Sequence, residues 1–239
     1  MSAEPARVSL SIWVRSWIYF FAFLAWTVFS AVVYLPLLIT QRTALVAVRL
    51  WVGGIMVLAR LIVGITCRIK GREHLPAGPI IVAAQHQSSF ETYRMFTALE
   101  RPIFILKREL VWIPLIGWYM QRAGFVPIDR GAAAGAMRKM LRETKAALDA
   151  GRQVILYPEG TRVPVGETYP YRPGIAALYA YLKAPVIPMA LNTGYFWGKT
   201  RILKMPGEIV FRFLPALPGD LDKDAFMSEL RQRLESAEL

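Results

Sequence analysis

Apolar residues are concentrated near the beginning of this chain, where two long runs of them follow one another. The first run covers residues 17–39 and contains no charged residue. A helix of roughly 20 apolar residues is long enough to cross the hydrocarbon core of a bilayer. A secretory signal peptide has a shorter apolar region followed by small residues, so we expect this run to be retained as a membrane-associated helix.

The second apolar stretch, residues 44–67, differs from the first because charged residues interrupt it. Arg49 and Arg60 lie within it, and with Arg42 just before it they are spaced by seven and eleven residues. At 3.6 residues per turn, three arginines at these spacings share one face of a helix. An arginine at the centre of a bilayer is costly, so this pattern predicts an amphipathic or half-buried helix. Together the two stretches predict a shallow helical hairpin.

Beyond residue 71, short apolar runs alternate with amphipathic stretches. This alternation predicts an α/β domain in which helices flank a layered mixed sheet. No repeat and no Pro/Gly-rich linker divides the domain, so we predict a membrane-associated hairpin over residues 1–68 and one α/β domain over residues 69–239. The predicted strands are residues 79–84, 103–106, 154–157, 186–191 and 209–214, and the predicted helices are residues 132–150, 174–183 and 223–235.

The charged residues give the chain a strongly basic balance. Lys and Arg total 29 against 17 Asp and Glu, for a formal net charge of +12. Such an excess favours an anionic partner, and nucleic acid, anionic lipid and an acidic carrier protein would each fit. The apolar start of the chain favours the membrane surface over nucleic acid. Basic residues flank both ends of the predicted hairpin, which favours the cytoplasmic face of that membrane.

The sequence offers few groups for metal or nucleophilic chemistry. It has one cysteine, Cys67, which excludes an internal disulfide, and only two histidines. This set is too small for an ordinary zinc site, so we expect no metal and no other cofactor. No Gly-x-Ser-x-Gly sequence is present, so Ser88 and Ser89 are not obvious nucleophiles.

A histidine and a carboxylate lie close together just after a predicted strand. His86 and Glu91 are separated by four residues, a spacing that lets a turn bring the carboxylate back to the imidazole. A carboxylate on one ring nitrogen leaves the other nitrogen able to take a proton from a hydroxyl. Ser88 and Glu91 also have the spacing of a capping box, which stabilises the start of a helix without any chemistry. Both interpretations stay open here, and both can hold at once.

A second candidate segment is the hexapeptide Tyr-Pro-Glu-Gly-Thr-Arg at residues 157–162, which follows another predicted strand. Proline and glycine favour a tight turn that leaves Glu159, Thr161 and Arg162 on a loop. Backbone N–H groups near Gly160 would then be available to an anion. A plain hairpin turn would have the same residues, so the hexapeptide alone does not decide between them.

These two segments resemble the signature of the glycerolipid acyltransferase family, in particular its 1-acylglycerol-3-phosphate acyltransferases. That signature is a His, four residues and an acid, followed downstream by Phe-Pro-Glu-Gly-Thr-Arg. Here Tyr157 stands in place of the phenylalanine, and Glu91 in place of the usual aspartate. Blocks at residues 107–130 and 186–188 resemble two further motifs of the family, so the resemblance covers residues 71–189 in four ordered motifs.

The resemblance implies catalytic roles for two residues and a phosphate site for three. His86 is expected to act as the general base, and Glu91 is expected to orient it. Lys107, Arg130 and Arg162 are expected to bind the phosphomonoester of the acceptor. Arginine suits bidentate phosphate contacts, and lysine supplies a point charge.

The resemblance also assigns the turn of the hexapeptide to the substrate site. Glu159 is expected to contact the polar backbone of the acceptor. The amides of the Gly160 turn are candidates to bind the oxyanion that forms during transfer. Thr161 completes the expected set of substrate-binding residues.

The activity implied by the resemblance is O-acyl transfer in phospholipid synthesis. The acyl donor is a thioester, either acyl-CoA or acyl-carrier protein, and the acceptor is the sn-2 hydroxyl of 1-acylglycerol-3-phosphate. The expected partners are this lysophospholipid and an anionic membrane surface, at the cytoplasmic face of a bacterial inner membrane, with no nucleic acid. Two alternatives stay open. One is transfer to another lysolipid, such as lyso-ornithine lipid, and the other is a lipid-binding membrane protein without catalysis.

Overall fold

A seven-stranded mixed sheet forms the centre of the protein in the computed structural model, which describes residues 8–128, 133–198 and 202–239. The strands are β1 (Ile65–Lys70), β2 (Ile80–Ala84), β3 (Pro102–Lys107), β4 (Val126–Ile128), β5 (Gln153–Leu156), β6 (Val186–Leu191) and β7 (Gly207–Phe213).

The order of the strands across the sheet is β1-β7-β6-β2-β5-β3-β4. Strands β2 to β6 run parallel, whereas β7 is antiparallel to β6 and parallel to β1, so the sheet is mixed as predicted. β2 and β5 are direct neighbours, with Ala83 opposite Leu156. The loops that follow these two strands therefore leave the sheet side by side, at the edge where open parallel sheets form their ligand sites.

Eight α-helices occur in the part of the chain that the structure describes. Residues of α1, α2 and α3 pack in one apolar core on one face of the sheet, and residues of α5, α6 and α8 pack in a second core on the other face. The helices are α1 (Leu10–Val33), α2 (Gln41–Leu58), α3 (Phe90–Ala98), α4 (Ile116–Arg122), α5 (Ala133–Asp149), α6 (Gly174–Leu182), α7 (Thr193–Phe196) and α8 (Lys223–Glu235).

All five predicted strands are present within two residues of their predicted ends, but β1 and β4 were not predicted. β1 alternates apolar Ile65, Cys67 and Ile69 with polar residues, which is the period-2 pattern of a half-buried strand. The long apolar helix directly before β1 hides this change of period. β4 has only three residues and contains Pro127, so it is too short to give a pattern. The predicted boundary at residue 68 falls inside β1.

α1 and α2 form a helical hairpin that packs on the sheet instead of standing apart from it. Both helices are long and apolar enough to cross a membrane, judged by length and composition, when the π-helical turn Ala59–Val63 is counted with α2. On the inner face of α2, Val52 and Ile55 are fully buried in the core. Arg49 donates hydrogen bonds of 3.0 and 3.2 Å to the carbonyl oxygens of Phe96 and Leu99 at the end of α3. The charge of the arginine at the middle of α2 is therefore stabilised by the carbonyl groups at a helix C-terminus.

Candidate active site

The structure brings His86 and Glu91 together at the carboxyl end of β2. His86 lies in the loop before α3, and Glu91 lies in the first turn of that helix. The imidazole Nδ1 and the Oε1 atom of Glu91 are 2.8 Å apart, which is a hydrogen-bond distance. Because an ionised carboxylate only accepts hydrogen bonds, this contact favours the tautomer of the neutral imidazole that carries its proton on Nδ1 and its lone pair on Nε2.

Four donors converge on the Glu91 carboxylate, which is fully buried. Besides His86, the backbone N–H groups of Gln87 and Ser88 donate to Oε1 at 2.9 and 2.7 Å. The buried hydroxyl of Thr193, at the start of α7, donates to Oε2 at 2.9 Å. With both oxygens bonded, the carboxylate keeps one orientation and fixes the position of the imidazole. The sequence analysis missed Thr193, which lies 102 residues from Glu91 along the chain and belongs to no motif.

The capping interpretation of Ser88 and Glu91 is correct in part. The Ser88 N–H donates to the Glu91 carboxylate, as in a capping box. The Ser88 hydroxyl, however, accepts a hydrogen bond of 2.8 Å from the N–H of Phe90. The Oε1 atom of Glu91 therefore accepts hydrogen bonds both from the backbone at the start of α3 and from His86.

The Tyr157 ring packs on the face of the imidazole. The centroids of the His86 and Tyr157 rings are 3.9 Å apart, and their planes lie 11° from parallel. The Tyr157 hydroxyl lies 2.9 Å from the hydroxyl of Thr92, which fixes the far end of the ring. Desolvation raises the pKa of the Tyr157 phenol well above its ordinary value, so the ring stays neutral beside the histidine. The hexapeptide thus contributes an orienting aromatic surface, which its sequence did not predict.

A cavity of about 530 Å³ opens beside His86. Pockets that bury a small ligand usually measure about 300–1,000 Å³. Most of the wall is apolar, but His86, Lys107 and Arg172 also contribute to it. This combination fits a ligand with a hydrocarbon chain and a charged head group. The apolar part of the wall includes Ala31, Val48, Phe96, Phe104, Tyr119 and Met120, and residues of α5 and α6 also contribute to it.

Residues 157–162 form a turn after β5, as the hexapeptide predicts. Gly160 has a φ of +67°, a left-handed conformation that glycine adopts at little cost. Its N–H donates to the carbonyl oxygen of Tyr157 at 3.0 Å. The Gly160 amide is therefore engaged within the turn, and the oxyanion-binding role expected of the amides of this turn stays a prediction. The N–H of Val163 donates to the carbonyl oxygen of His86 at 2.7 Å and ties the turn to the His86 loop.

Glu159 lies next to the backbone of His86 and is not among the described residues that line the cavity. The residue is 7% exposed, and its Oε2 atom has no hydrogen-bond partner in the described part of the chain. Desolvation raises the pKa of Glu159 to about 7, against a smaller lowering effect of nearby backbone N–H groups. The contact with the acceptor that the resemblance implies for Glu159 stays a prediction.

Two of the three predicted phosphate-binding cations lie in the described part of the chain. Lys107 lines the cavity at the end of β3, where its ammonium group pairs with the Glu109 carboxylate at 2.9 Å. Arg162 and Thr161 are half-buried and are not among the described residues that line the cavity; Arg162 is close enough to Tyr157 to lower the pKa of its phenol in part. The third, Arg130, lies outside the residues that the structure describes.

Arg172 is a cation of the site that the sequence analysis did not single out. It lines the cavity, and its side chain covers Gly160, where a Cβ atom would lie 3.2 Å from the Arg172 Cγ atom. Its backbone N–H donates to the carbonyl oxygen of Pro158 at 2.8 Å. This hydrogen bond places Arg172 next to the hexapeptide, although a loop separates the two in sequence. Because the contact is not local, no sequence motif indicates it.

Comparison with known proteins gives the family of this chain. Residues 66–192 match the Acyltransferase family, over more than half of the sequence. The chain belongs to the acyltransferase family. The enzyme class predicted from the ordered motifs is thereby confirmed, and the His86–Glu91 pair lies within the matched region.

Named relatives and a solved structure agree with this acyltransferase assignment. The 1-acyl-sn-glycerol-3-phosphate acyltransferase of Pseudomonas aeruginosa is 32% identical over 186 residues, which cover 78% of this chain and 72% of that protein. The alpha form of the enzyme with this name in mouse is 31% identical over 161 residues, which cover 66% of this chain and 56% of the mouse protein. The crystal structure of the LPA acyltransferase PlsC from Thermotoga maritima has the same fold, with a TM-score of 0.75 over 94% of each chain and 19% identity.

Replacing Thr193 by valine tests whether this acyltransferase depends on the fourth donor to Glu91. Valine keeps the shape of the side chain but removes the hydroxyl, and an unsatisfied buried acceptor costs about 1–3 kcal/mol. We expect kcat to fall about tenfold, which corresponds to roughly 1.4 kcal/mol in the barrier. The KM for the lipid acceptor should change little, because Thr193 positions the carboxylate and does not line the cavity. Thr193→Ser is expected to restore most of kcat.

Thr144 in α5 provides a matched control for this substitution. It is equally buried, but its hydroxyl has no hydrogen-bond partner in the described part of the chain. Thr144→Val should therefore leave steady-state acyl transfer unchanged. Equal kcat values for Thr193→Val and the wild type would show that Thr193 does not position Glu91.

Proposed function

We propose that this acyltransferase moves a fatty acyl group from an acyl thioester to the sn-2 hydroxyl of 1-acylglycerol-3-phosphate, giving phosphatidic acid. The proposal is carried by the His86–Glu91 pair, which lies at an apolar cavity that also has cations in its wall. The names of the relatives from Pseudomonas aeruginosa and mouse support the same acceptor. Either acyl-CoA or acyl-carrier protein serves as the donor.

In the proposed reaction, Nε2 of His86 removes the proton from the sn-2 hydroxyl as the oxygen attacks the thioester carbonyl carbon. The new C–O bond gives a tetrahedral intermediate, and the Glu91 carboxylate stabilises the imidazolium. Collapse of the intermediate breaks the C–S bond, and the leaving thiolate takes the proton from Nε2. The enzyme returns to its starting state, so no covalent acyl-enzyme is needed.

The head group of the acceptor is proposed to lie among the cations of the site. Lys107 and Arg172 are in the cavity wall, and Arg162 lies beside Tyr157. Arg130 is assigned to the same task through the family motif alone. A phosphomonoester carries nearly two negative charges near neutral pH, so several cations around it are needed to offset its loss of hydration.

The hairpin is proposed to lie in the membrane surface and not to cross the bilayer. α1 is attached to the α/β domain near both of its ends. The Ser16 hydroxyl accepts a hydrogen bond of 3.0 Å from the N–H of Lys204, and the Tyr119 hydroxyl donates one of 3.0 Å to the carbonyl oxygen of Ala31. A helix held against the domain over about 22 Å, at 1.5 Å per residue, cannot also extend through the bilayer. Its outward apolar face suits an interfacial helix, and the flanking basic residues favour the cytoplasmic face of a bacterial inner membrane.

Transfer of a labelled acyl group in mixed micelles tests the proposed acceptor. Wild-type protein is supplied with acyl-CoA or acyl-carrier protein as donor and with lysophosphatidic acid, lysophosphatidylcholine or lyso-ornithine lipid as acceptor. We expect lysophosphatidic acid to be the preferred acceptor. A folded protein that binds lipid but transfers nothing to lysophosphatidic acid from either donor would overturn the proposal, and transfer to another lysolipid alone would identify the correct acceptor class.

Replacing Arg162 by leucine is expected to raise the KM for lysophosphatidic acid about 10-fold to 100-fold, equivalent to the roughly 1.5–3 kcal/mol of a hydrogen bond to a charged group. Any slow transfer to lysophosphatidylcholine should be unaffected, because that acceptor lacks the phosphomonoester. Arg138→Leu, at an exposed position of α5, removes the same charge away from the cavity and serves as the control. Equal KM values for the two variants would contradict the role of Arg162 in head-group binding.

A further inference from the structure

Residues 108–118, which we call the Trp112 loop, run from the end of β3 into α4 and expose large apolar side chains. Outside the hairpin, seven large apolar or aromatic residues are exposed in the part of the chain that the structure describes, and four of them lie in this loop. Trp112 is 72% exposed and Trp118 is 54% exposed; Leu110 and Ile113 are the other two. Single exposed apolar residues are ordinary, but four within nine residues form a patch that marks a contact surface.

The Trp112 loop holds these side chains outward in a compact turn. The N–H of Gly117 donates to the carbonyl oxygen of Ile113 at 2.7 Å. The side-chain amide of Gln121 donates to the carbonyl oxygen of Val111 at 3.1 Å. A Cβ atom on Gly117 would lie 2.1 Å from that same Val111 oxygen, so this close approach requires glycine. The exposure of Trp112 is therefore a consequence of an ordered turn.

The Trp112 loop leads into α4, and the far end of α4 contacts the turn of the hairpin. The Arg122 guanidinium donates to the carbonyl oxygen of Ile39, in the segment between α1 and α2. The side-chain amide of Gln41, the first residue of α2, donates to the carbonyl oxygen of Ala123 at 3.4 Å. Ile39 is itself 71% exposed. The hairpin turn is thus bonded to the helix that directly follows the Trp112 loop.

Cations flank the exposed apolar residues of the Trp112 loop. From Lys107 to Arg122 the sequence contains three cations and one carboxylate. That carboxylate belongs to Glu109, and the Lys107 ammonium group lies 2.9 Å from it. Tryptophan side chains between basic residues are typical of segments that lie in the interface of an anionic membrane. The charge of the loop therefore matches the lipid surface proposed for the hairpin.

The Trp112 loop also contributes to the wall of the cavity. Leu110 and Ile116 line the cavity, as do Ser30 of α1 and Tyr34, the residue directly after that helix. Part of the wall is therefore formed by two elements whose other sides are exposed and apolar. A hydrocarbon chain that passed between them would stay in an apolar environment along its whole path.

We propose that the Trp112 loop enters the membrane interface beside the hairpin. With α1 it would form the rim of an opening, here called the lip, and a lipid acyl chain would pass between the two into the cavity. The occupant of this surface is a lipid bilayer with anionic head groups. The identity of the entering lipid rests on the proposed function, but contact between the loop and the membrane does not depend on catalysis. Acceptor and product would then exchange with the bilayer without passing through water.

A fluorescent probe at position 112 tests the membrane contact directly. The one cysteine of the chain is removed by Cys67→Ser, Trp112→Cys is added, and the new thiol is labelled with an environment-sensitive nitrobenzoxadiazole. The control carries Tyr181→Cys, at a 63% exposed aromatic position on α6, across the sheet from the hairpin. On vesicles that contain phosphatidylglycerol, the probe at 112 should gain intensity, shift to the blue and be quenched by lipids with brominated chains. The probe at 181 should do none of these.

A probe at 112 that stays in water on vesicle-bound protein would overturn the proposal. Equal quenching at 112 and 181 would do the same, because it would show contact without selectivity for the loop. Quenching at 112 alone, in a protein that transfers no acyl group to lysophosphatidic acid, would support the membrane contact while the proposed function failed. The two proposals are therefore separable in one series of measurements.

The double variant Trp112→Ser/Trp118→Ser tests, through KM, whether the acceptor enters the cavity at the lip. We expect the apparent KM for lysophosphatidic acid presented in vesicles to rise about tenfold, the factor that corresponds to roughly 1.4 kcal/mol. Transfer to a short-chain, water-soluble lysophosphatidic acid should keep the wild-type KM, because that acceptor does not enter through the bilayer. An unchanged KM for the vesicle-borne acceptor, or an equal rise for both acceptors, would contradict a role at the lip.

Discussion

His86→Ala is expected to lower kcat for acyl transfer by about 10²-fold to 10⁴-fold, the usual contribution of a positioned general base. Nε2 of His86 is the atom that removes the proton from the acceptor hydroxyl in the proposed reaction. Glu91 cannot replace it, since its carboxylate is fully buried and both of its oxygens are bonded. Transfer of a labelled acyl group from the donor that supports wild-type activity measures the effect.

His74 provides the control for His86→Ala. It is the other histidine of the chain, it lies in the short 3₁₀-helical turn Arg72–His74, and it is not among the described residues that line the cavity. His74→Ala should leave kcat unchanged. A His86→Ala protein that keeps wild-type kcat would show that another group removes the proton, and the proposed mechanism would have to be abandoned.

Glu91→Gln is expected to lower kcat by about 10²-fold to 10³-fold, the range seen when one preorganised electrostatic contact is removed from an active site. The substitution is informative because the geometry can survive it. The amide oxygen can take the place of Oε1 and accept from His86 and the two backbone N–H groups, while the amide nitrogen donates to the Thr193 hydroxyl. The tautomer of His86 is then retained, and the loss of kcat reports the missing negative charge beside the imidazolium.

Glu91→Asp tests whether the charge of the carboxylate or its exact position matters more for kcat. Aspartate keeps the charge but withdraws the carboxylate by about 1.5 Å, the length of one carbon–carbon bond. It should retain more activity than Glu91→Gln, since aspartate is the usual residue of the family motif. A Glu91→Gln protein that is as active as Glu91→Asp would argue against electrostatic support by Glu91 and leave orientation as its only role.

The sequence predicted most of the sheet because each predicted strand is a short apolar run with its own boundaries. β1 was not predicted because it follows a long apolar helix without a polar break. The period of its apolar residues changes from that of a helix to that of a strand over only six residues. The His86–Glu91 contact was predictable because both residues belong to one turn. The spacing of two residues within one turn is enough to predict a contact between them.

The rest of the site depends on strand order, which local patterns do not give. Tyr157 stacks on His86 because β5 is inserted between β2 and β3, although β3 and β4 precede it in the chain. Thr193 reaches Glu91 because β6 lies on the other side of β2. The motif correctly marked the Gly160 turn, but its amide bonds within the turn, a detail that depends on backbone geometry and not on residue type.

The hydrogen bonds from Arg49 to the end of α3 join the hairpin proposed to lie in the membrane to the helix that carries Glu91. α3 carries Glu91 in its first turn, and its last carbonyl groups are held by an arginine of the hairpin. The hairpin therefore supports α3, the helix whose Glu91 orients His86. Removal of the hairpin would leave the last carbonyl groups of α3 without these donors and expose the core that α2 covers on one face of the sheet, so the hairpin is part of the folded domain as well as the proposed membrane contact.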